Sequence, residues 1–141
     1  MKLATVDGLA PTELRCFRDA RGALVPVDLP AVVPFAVVRL FWVYDVPAGT
    51  SRGSHAHKEC HQFLVCVAGT VAVEAYDGSA ERSFVLTEGQ ALHLPPGIFA
   101  TERYVAPGSV LMVFCDRSYE PADYLTEREA FLAYRRQMQP G

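Results

Sequence analysis

The sequence predicts a single all-β domain, a sandwich or barrel of short strands followed by one C-terminal helix. Three observations carry that expectation. The 141 residues suffice for one compact domain and not for two, so residues 1–141 are read as one unit. Short runs rich in β-branched and aromatic residues recur along the chain, each bounded by a Gly or Pro turn signal. Ten Gly and ten Pro in so short a chain favour many turns over a helix bundle.

Near the N-terminus, Asp19-Ala20-Arg21-Gly22 is a turn signal between two short β-like runs. Residues 35–46, FAVVRLFWVYDV, form a long β-rich run. Residues 63–78 read as strand, Ala-Gly-Thr turn, strand, then a Tyr-Asp-Gly turn. The runs RSFVLTEG, QALHLPPG and GSVLMVFC follow, each with a Gly or Pro at one end. At the C-terminus Thr126 and Glu129 have the spacing of a capping box, and Phe131, Leu132 and Tyr134 precede the basic pair Arg135-Arg136. That pattern predicts a helix from about Glu127 to Met138.

Composition excludes several functions. Half of the residues are apolar and 21% are charged, which is not the composition of a disordered chain. The net charge of −3 lacks the basic surplus of a nucleic-acid binder. The start, MKLATVDGLA, has no apolar h-region. The longest apolar stretch, Ala31 to Val43, is too short for a membrane span and is interrupted by Pro34 and Arg39. Cys16, Cys60, Cys66 and Cys115 form no C-x-x-C pair, and Cys66 and Cys115 lie in apolar runs that read as buried thiols. A reducing cytoplasm is the expected setting.

The chemistry concentrates in one segment. His55, His57 and His61 fall within seven residues. On an extended strand His55 and His57 project to the same face, where two imidazoles can bind a metal or exchange protons with a ligand. The spacing around them is Gly49, five residues, His55-x-His57, four residues, Gln62, six residues, Gly69. A second set runs Gly89, five residues, Pro95-x-Gly97, two residues, Ala100, with Tyr104 four positions on. Both spacings resemble the two motifs of the cupins, which implies a jelly-roll barrel. The residues depart from the metal-binding pattern: Gln62 stands at the carboxylate position and Ala100 at the third histidine position. Two neutral imidazoles alone make a weak divalent site, with His61 or Glu59 as the candidates to add a ligand. A metal-free, cofactor-free pocket with titrating histidines is the expectation.

The string Arg52-Gly-Ser-His-Ala-His-Lys58, with Gln62-Phe-Leu-Val-Cys66 and Gly69, is similar to the signature of the nucleotide-sugar 3,4-ketoisomerases, cupin enzymes acting on dTDP-4-keto-6-deoxyglucose. The resemblance extends over roughly residues 15 to 136. It takes in Asp19-Ala-Arg21-Gly22, Val33-Pro34-Phe35, Val38-Arg39, Pro95-Pro96, Tyr119-Glu120 and Asp123-Tyr124. It implies a homodimeric, metal-free barrel that moves a keto group from C4 to C3 of a dTDP-linked 4-keto-6-deoxy sugar through an enediol. By that resemblance His55 and His57 are the catalytic pair, with His57 as the shuttling base and His55 as partner or second acid. Arg52 and Lys58 flank them and stabilise the enediolate or the diphosphate. Arg21 corresponds to an active-site position, and Gln62 is counted with the substrate-binding residues. Arg39, alone in an apolar run, should point into a polar cavity or an interface. Tyr119 is placed to stack on the thymine ring. The family's Trp-His is Phe99-Ala100 here and its tyrosines after the first arginine are Phe41 and Trp42, so the product configuration at C4 stays open. Two other readings stand beside this one: a nucleotide-sugar-binding cupin without turnover, and a metal-dependent cupin oxygenase. A 3,5-epimerase is disfavoured, because the Arg-Gly-x-His-Ala-His-Lys string is not its pattern.

Overall fold

Period-two burial along the strands sorts them into two sheets. The structure is a computed structural model that describes residues 2–139. Its strands are β1 (Thr12–Glu13), β2 (Phe17–Asp19), β3 (Gly22–Leu24), β4 (Arg39–Val43), β5 (Thr50–His57) and β6 (Gln62–Ala68). They continue with β7 (Thr70–Tyr76), β8 (Glu81–Thr87), β9 (Gln90–Leu94), β10 (Phe99–Tyr104), β11 (Val110–Cys115) and β12 (Tyr124–Leu125), and the chain ends in helix α1 (Arg128–Met138). One sheet has the order β1-β9-β6-β11-β4 and the other β12-β5-β10-β7-β8, with antiparallel pairing between neighbours. This is the double-sheet jelly roll expected from the sequence. The β2–β3 hairpin pairs with neither sheet.

The main core lies between the sheets and is built from inward side chains such as Leu64, Val73, Leu86, Leu92 and Leu111. Each such burial contributes roughly 1.5–3 kcal/mol. A second cluster covers the outer face of the first sheet, where Val33, Val32 and Phe35 lie on Phe63 and Phe114. A third joins α1 to the other sheet: Phe131 packs on Phe99, with ring centroids 5.5 Å apart, beside Ala56 and Leu125. Buried Arg135 of α1 donates to the carbonyls of Ala4 at 3.0 Å and Gly97 at 2.6 Å, tying three distant segments together.

Three local expectations are corrected. Only Arg39–Val43 of the β-rich run 35–46 is strand; Phe35 and Val37 instead pack on the second cluster, and Val38 N–H joins Cys115 C=O as the ladder begins. The helix begins at Arg128 with Glu127 at its N-cap and no side-chain cap bond, so the Thr126–Glu129 box does not form. Strand β10 has no counterpart among the runs singled out from the sequence, since Thr101-Glu102-Arg103 breaks its apolar character.

Candidate active site

Strand β5 carries the histidines, and a bulge aims them. Across β10, Ala100 lies opposite His55 while Glu102 lies opposite Arg52, so two residues on β10 face three on β5. The extra residue falls at Gly53–Ser54, with Gly53 at φ +90°. Without it, Arg52 and His55 would project to opposite faces. With it, Arg52, His55 and Gln62 line one cavity of about 130 Å³ together with Phe41, Glu102 and Tyr104. A small cleft continues from there past His57 and Ala100 to Pro95. A separate groove of about 550 Å³ between the N-terminal segment and α1 holds none of the candidate residues.

The two imidazoles form the end of a hydrogen-bonded chain. His57 Nδ1 is 2.8 Å from Asp123 Oδ2, and His57 Nε2 is 3.2 Å from His55 Nε2. Asp123 is buried and also accepts from the backbone N–H groups of Glu59 at 2.8 Å and Cys60 at 3.3 Å. A carboxylate so bonded fixes the proton of neutral His57 on Nδ1, which leaves Nε2 as an acceptor that takes the Nε2–H of His55 until a substrate proton replaces it. Tyr124 covers both rings, with centroids 4.9 Å from His55 and 4.4 Å from His57. Asp123 and Tyr124 reach the histidines because the 3₁₀ turn Pro121–Asp123 runs into β12, which pairs with β5 in the register Tyr124 to His57.

Burial sets the protonation states. It pushes His55 down to about 4, helped by the neighbouring His57. His57 is also held below its ordinary value, first by burial; Asp123 opposes that shift and Arg39 adds to it. Near neutral pH both rings are therefore neutral, the form a general base requires.

The other candidates divide. Arg39 lies on the inward side of β4, its guanidinium 5.4 Å from the Tyr119 ring. Tyr119 is exposed and packs on Tyr124 at 5.6 Å. Gln62 is buried, its Nε2 3.9 Å from Cys115 Sγ. Arg52 is exposed at the mouth of the cavity. Lys58 is exposed beside the site; its backbone N–H donates to Asp123 C=O. Arg21 lies apart, at the exposed turn of the β2–β3 hairpin, where it pairs with Asp19. Sequence reasoning gave no role to Asp123, Tyr124 or Glu102. Asp123-Tyr124 stood in the quoted C-terminal resemblance, and that was the signal available for the first two.

His57, Cys60 and Asp123 place one donor atom each within 4.8 Å of one another, the geometry of a metal cluster. Their hydrogen bonds oppose that use. Asp123 is engaged by His57 and two N–H groups, and the Cys60 thiol donates to His61 C=O while Cys115 and then burial push its pKa up. A metal would have to displace these bonds and deprotonate a thiol that resists ionisation. His61, the other candidate ligand, faces away to His93, with Nδ1 2.9 Å from His93 Nε2.

Residues 8–136 match the family described as FdtA: WxcM-like, C-terminal. The chain belongs to that family. Among its FdtA-like relatives is a TDP-4-oxo-6-deoxy-alpha-D-glucose-3,4-oxoisomerase of Aneurinibacillus thermoaerophilus, 29% identical over 82% of this chain and 84% of the relative. The fold is similar to that of the 3,4-ketoisomerase QdtA from Thermoanaerobacterium thermosaccharolyticum, solved as a histidine-to-asparagine variant with TDP-4-keto-6-deoxyglucose. That match has a TM-score of 0.87 and 22% identity over 94% of this chain and 97% of QdtA. The TDP-quinovose 3,4-ketoisomerase WlaRB of Campylobacter jejuni matches with a TM-score of 0.82 and 26% identity, over 91% of this chain and 99% of that one. The FdtA-like assignment therefore spans both sheets and α1.

Proposed function

We propose that this protein is a 3,4-ketoisomerase that converts TDP-4-keto-6-deoxyglucose to a TDP-3-keto-6-deoxyhexose. The observation that carries the reading is the Asp123–His57–His55 chain, which ends in neutral imidazoles inside the barrel. The ketone at C4 acidifies the C3 proton. His57 Nε2 removes it, Asp123 balances the imidazolium that forms, and the proton returns at C4. The exchange is internal to two adjacent carbons, so no external oxidant or reductant enters. Relatives whose names specify TDP-sugar keto isomerisation support the substrate class.

The cavity of about 130 Å³ is far below the roughly 300–1,000 Å³ of pockets that enclose a drug-sized ligand. Only the sugar enters, and the nucleotide lies across the mouth. With a net charge of −3, local cations must hold the diphosphate: Arg52 lines the cavity and the charge of Arg39 acts on His57. A homodimer is part of this reading. The β2–β3 hairpin is exposed on both faces, and such a hairpin is marginal alone. It would lay Arg21 against a second copy. Four unpaired cysteines suit a reducing cytoplasm. Among the described residues no helix is long and apolar enough to cross a membrane.

The test is proton NMR of TDP-4-keto-6-deoxyglucose incubated with the protein in D2O. Turnover gives a 3-keto product with deuterium at C3 or C4 and reports its configuration. Binding without chemical change would leave a binding module, and a stoichiometric metal in purified protein would remove the metal-independent mechanism.

A further inference from the structure

The barrel interior holds a carboxyl that the histidine chemistry leaves unused. The inward side chains of β10 are Ala100, Glu102 and Tyr104, spaced by two. Glu102 is 9% exposed and lines both the cavity and the cleft that holds His55 and His57. Burying an ionised carboxyl is costly unless it is paired. Around it, β5 offers Arg52 at the mouth and neutral His55, β10 offers Tyr104, and β6 offers uncharged Gln62, while β4 and β11 offer apolar side chains. Burial dominates and raises its pKa to about 7, against its own backbone N–H and the charge of Arg52. Strand β5 also makes room for it: a Cβ on Gly53 would overlap the Glu102 carboxyl, so the glycine that forms the bulge is the one that admits this side chain.

We propose that Glu102 is a third proton-carrying group of the site, relaying the hydroxyl proton of the sugar from O3 to O4 while the histidines carry the carbon-bound proton; the proposal rests on the isomerase reading above. Keto migration needs both movements; the His57 nitrogen that holds the carbon-bound proton serves only one, and His55 Nε2 is engaged with that nitrogen. A protonated carboxyl presents a donor and an acceptor side by side, matched to neighbouring sugar oxygens. His57 takes the proton from C3, the C3–H electron pair becomes the C3=C4 double bond, and the carbonyl pair moves to O4. O4 takes the proton of Glu102. The other oxygen of Glu102 takes the proton from O3, the O3–H pair becomes the new carbonyl at C3, and the C3=C4 pair takes the histidine-held proton at C4. Glu102 ends protonated, and the atoms and electrons balance.

Glu102→Gln keeps the shape and cannot exchange donor for acceptor. Wild type and variant are compared on TDP-4-keto-6-deoxyglucose in D2O, with TDP affinity by calorimetry and kcat followed across neutral pH. The expected result is a kcat lowered at least ~100-fold with TDP affinity kept within about twofold. Deuterium still enters C3 of recovered substrate, faster than product forms, and the wild-type alkaline limb near 7 is absent from the variant. Glu102→Asp, which keeps the carboxyl, retains more turnover than Glu102→Gln. The relay is overturned if Glu102→Gln turns over like wild type, if it binds TDP but loses C3 exchange together with turnover, if Glu102→Asp is the weaker variant, or if wild type shows no alkaline limb. A wild type that neither exchanges nor isomerises the sugar removes the isomerase reading, and the relay with it.

Discussion

Asp123 Oδ2 lies 2.8 Å from His57 Nδ1, across 66 residues of sequence, and that bond decides which nitrogen of His57 faces the barrel interior. Asp123→Asn preserves the shape but presents an amide that can leave the proton on Nε2, where it blocks the base. The expected outcome is a kcat lowered about 10²- to 10⁴-fold with TDP affinity unchanged. Steady-state kinetics with calorimetry checks it. A variant that keeps full turnover would separate the dyad from the chemistry.

The bulge at Gly53 has two functions, re-aiming β5 and admitting Glu102. Gly53→Ala places a side chain at φ +90° and into the Glu102 carboxyl. Backbone strain and steric overlap together are expected to cost about 2–4 kcal/mol and most of the activity. Urea denaturation measures the first, and a loss under about 0.5 kcal/mol, the level of an ordinary surface change, would contradict the geometry.

The H-x-H pair was legible because period two puts His55 and His57 on one face of any strand. Arg52 was named beside them from resemblance, and its odd spacing from His55 hides the bulge that turns both inward. Asp123 and Tyr124 depend on a pairing between β12 and β5 that no local pattern encodes. Glu102 lies between Thr101 and Arg103 and looks like a solvated charge. Only its partners in the fold reveal that it faces the core. The helix and its bounds were legible from Phe131, Leu132 and Tyr134 to within one residue, but the Thr126–Glu129 cap was not realised, since Glu127 and not Thr126 occupies the N-cap.

His55 and Glu102 give opposite pH dependences of stability. His55 has a folded pKa of about 4 against a usual 6.5, so the folded state binds fewer protons between these values. Its contribution is full above 6.5 and is lost as pH falls through 4; the lowered His57 acts with the same sign. Glu102 has a folded pKa of about 7 against 4.5, so its contribution is present below 4.5 and is lost as pH rises through 7. Each amounts to at most about 3 kcal/mol, and the two oppose across the shared window. Glu102 offsets His55 there, so wild-type stability should climb with pH between about 4.5 and 6.5 only by the share that His57 adds. Glu102→Gln removes one side of the balance: its stability should climb with pH through that window and exceed wild type at pH 7. Urea midpoints at several pH values test this, and parallel curves for the two proteins would refute it.

The outer face of β4 is where a second copy is expected. Val38, Leu40, Trp42 and Tyr44 alternate with the inward Arg39, Phe41 and Val43, and all four are exposed, Trp42 at 58%. An apolar row on the edge strand of a sheet is a template for another chain unless charge protects it, and this row carries none. The hairpin residues Phe17 and Leu24 add exposed apolar surface. Trp42→Glu places a charge in the row without touching the barrel interior. Light scattering after gel filtration should show a dimer for wild type and a shift toward monomer for the variant, with the circular-dichroism spectrum unchanged. If Arg21 of one copy serves the site of the other, turnover at low protein concentration falls in the same variant. A monomeric wild type with full activity would assign both the hairpin and the β4 row to some other contact.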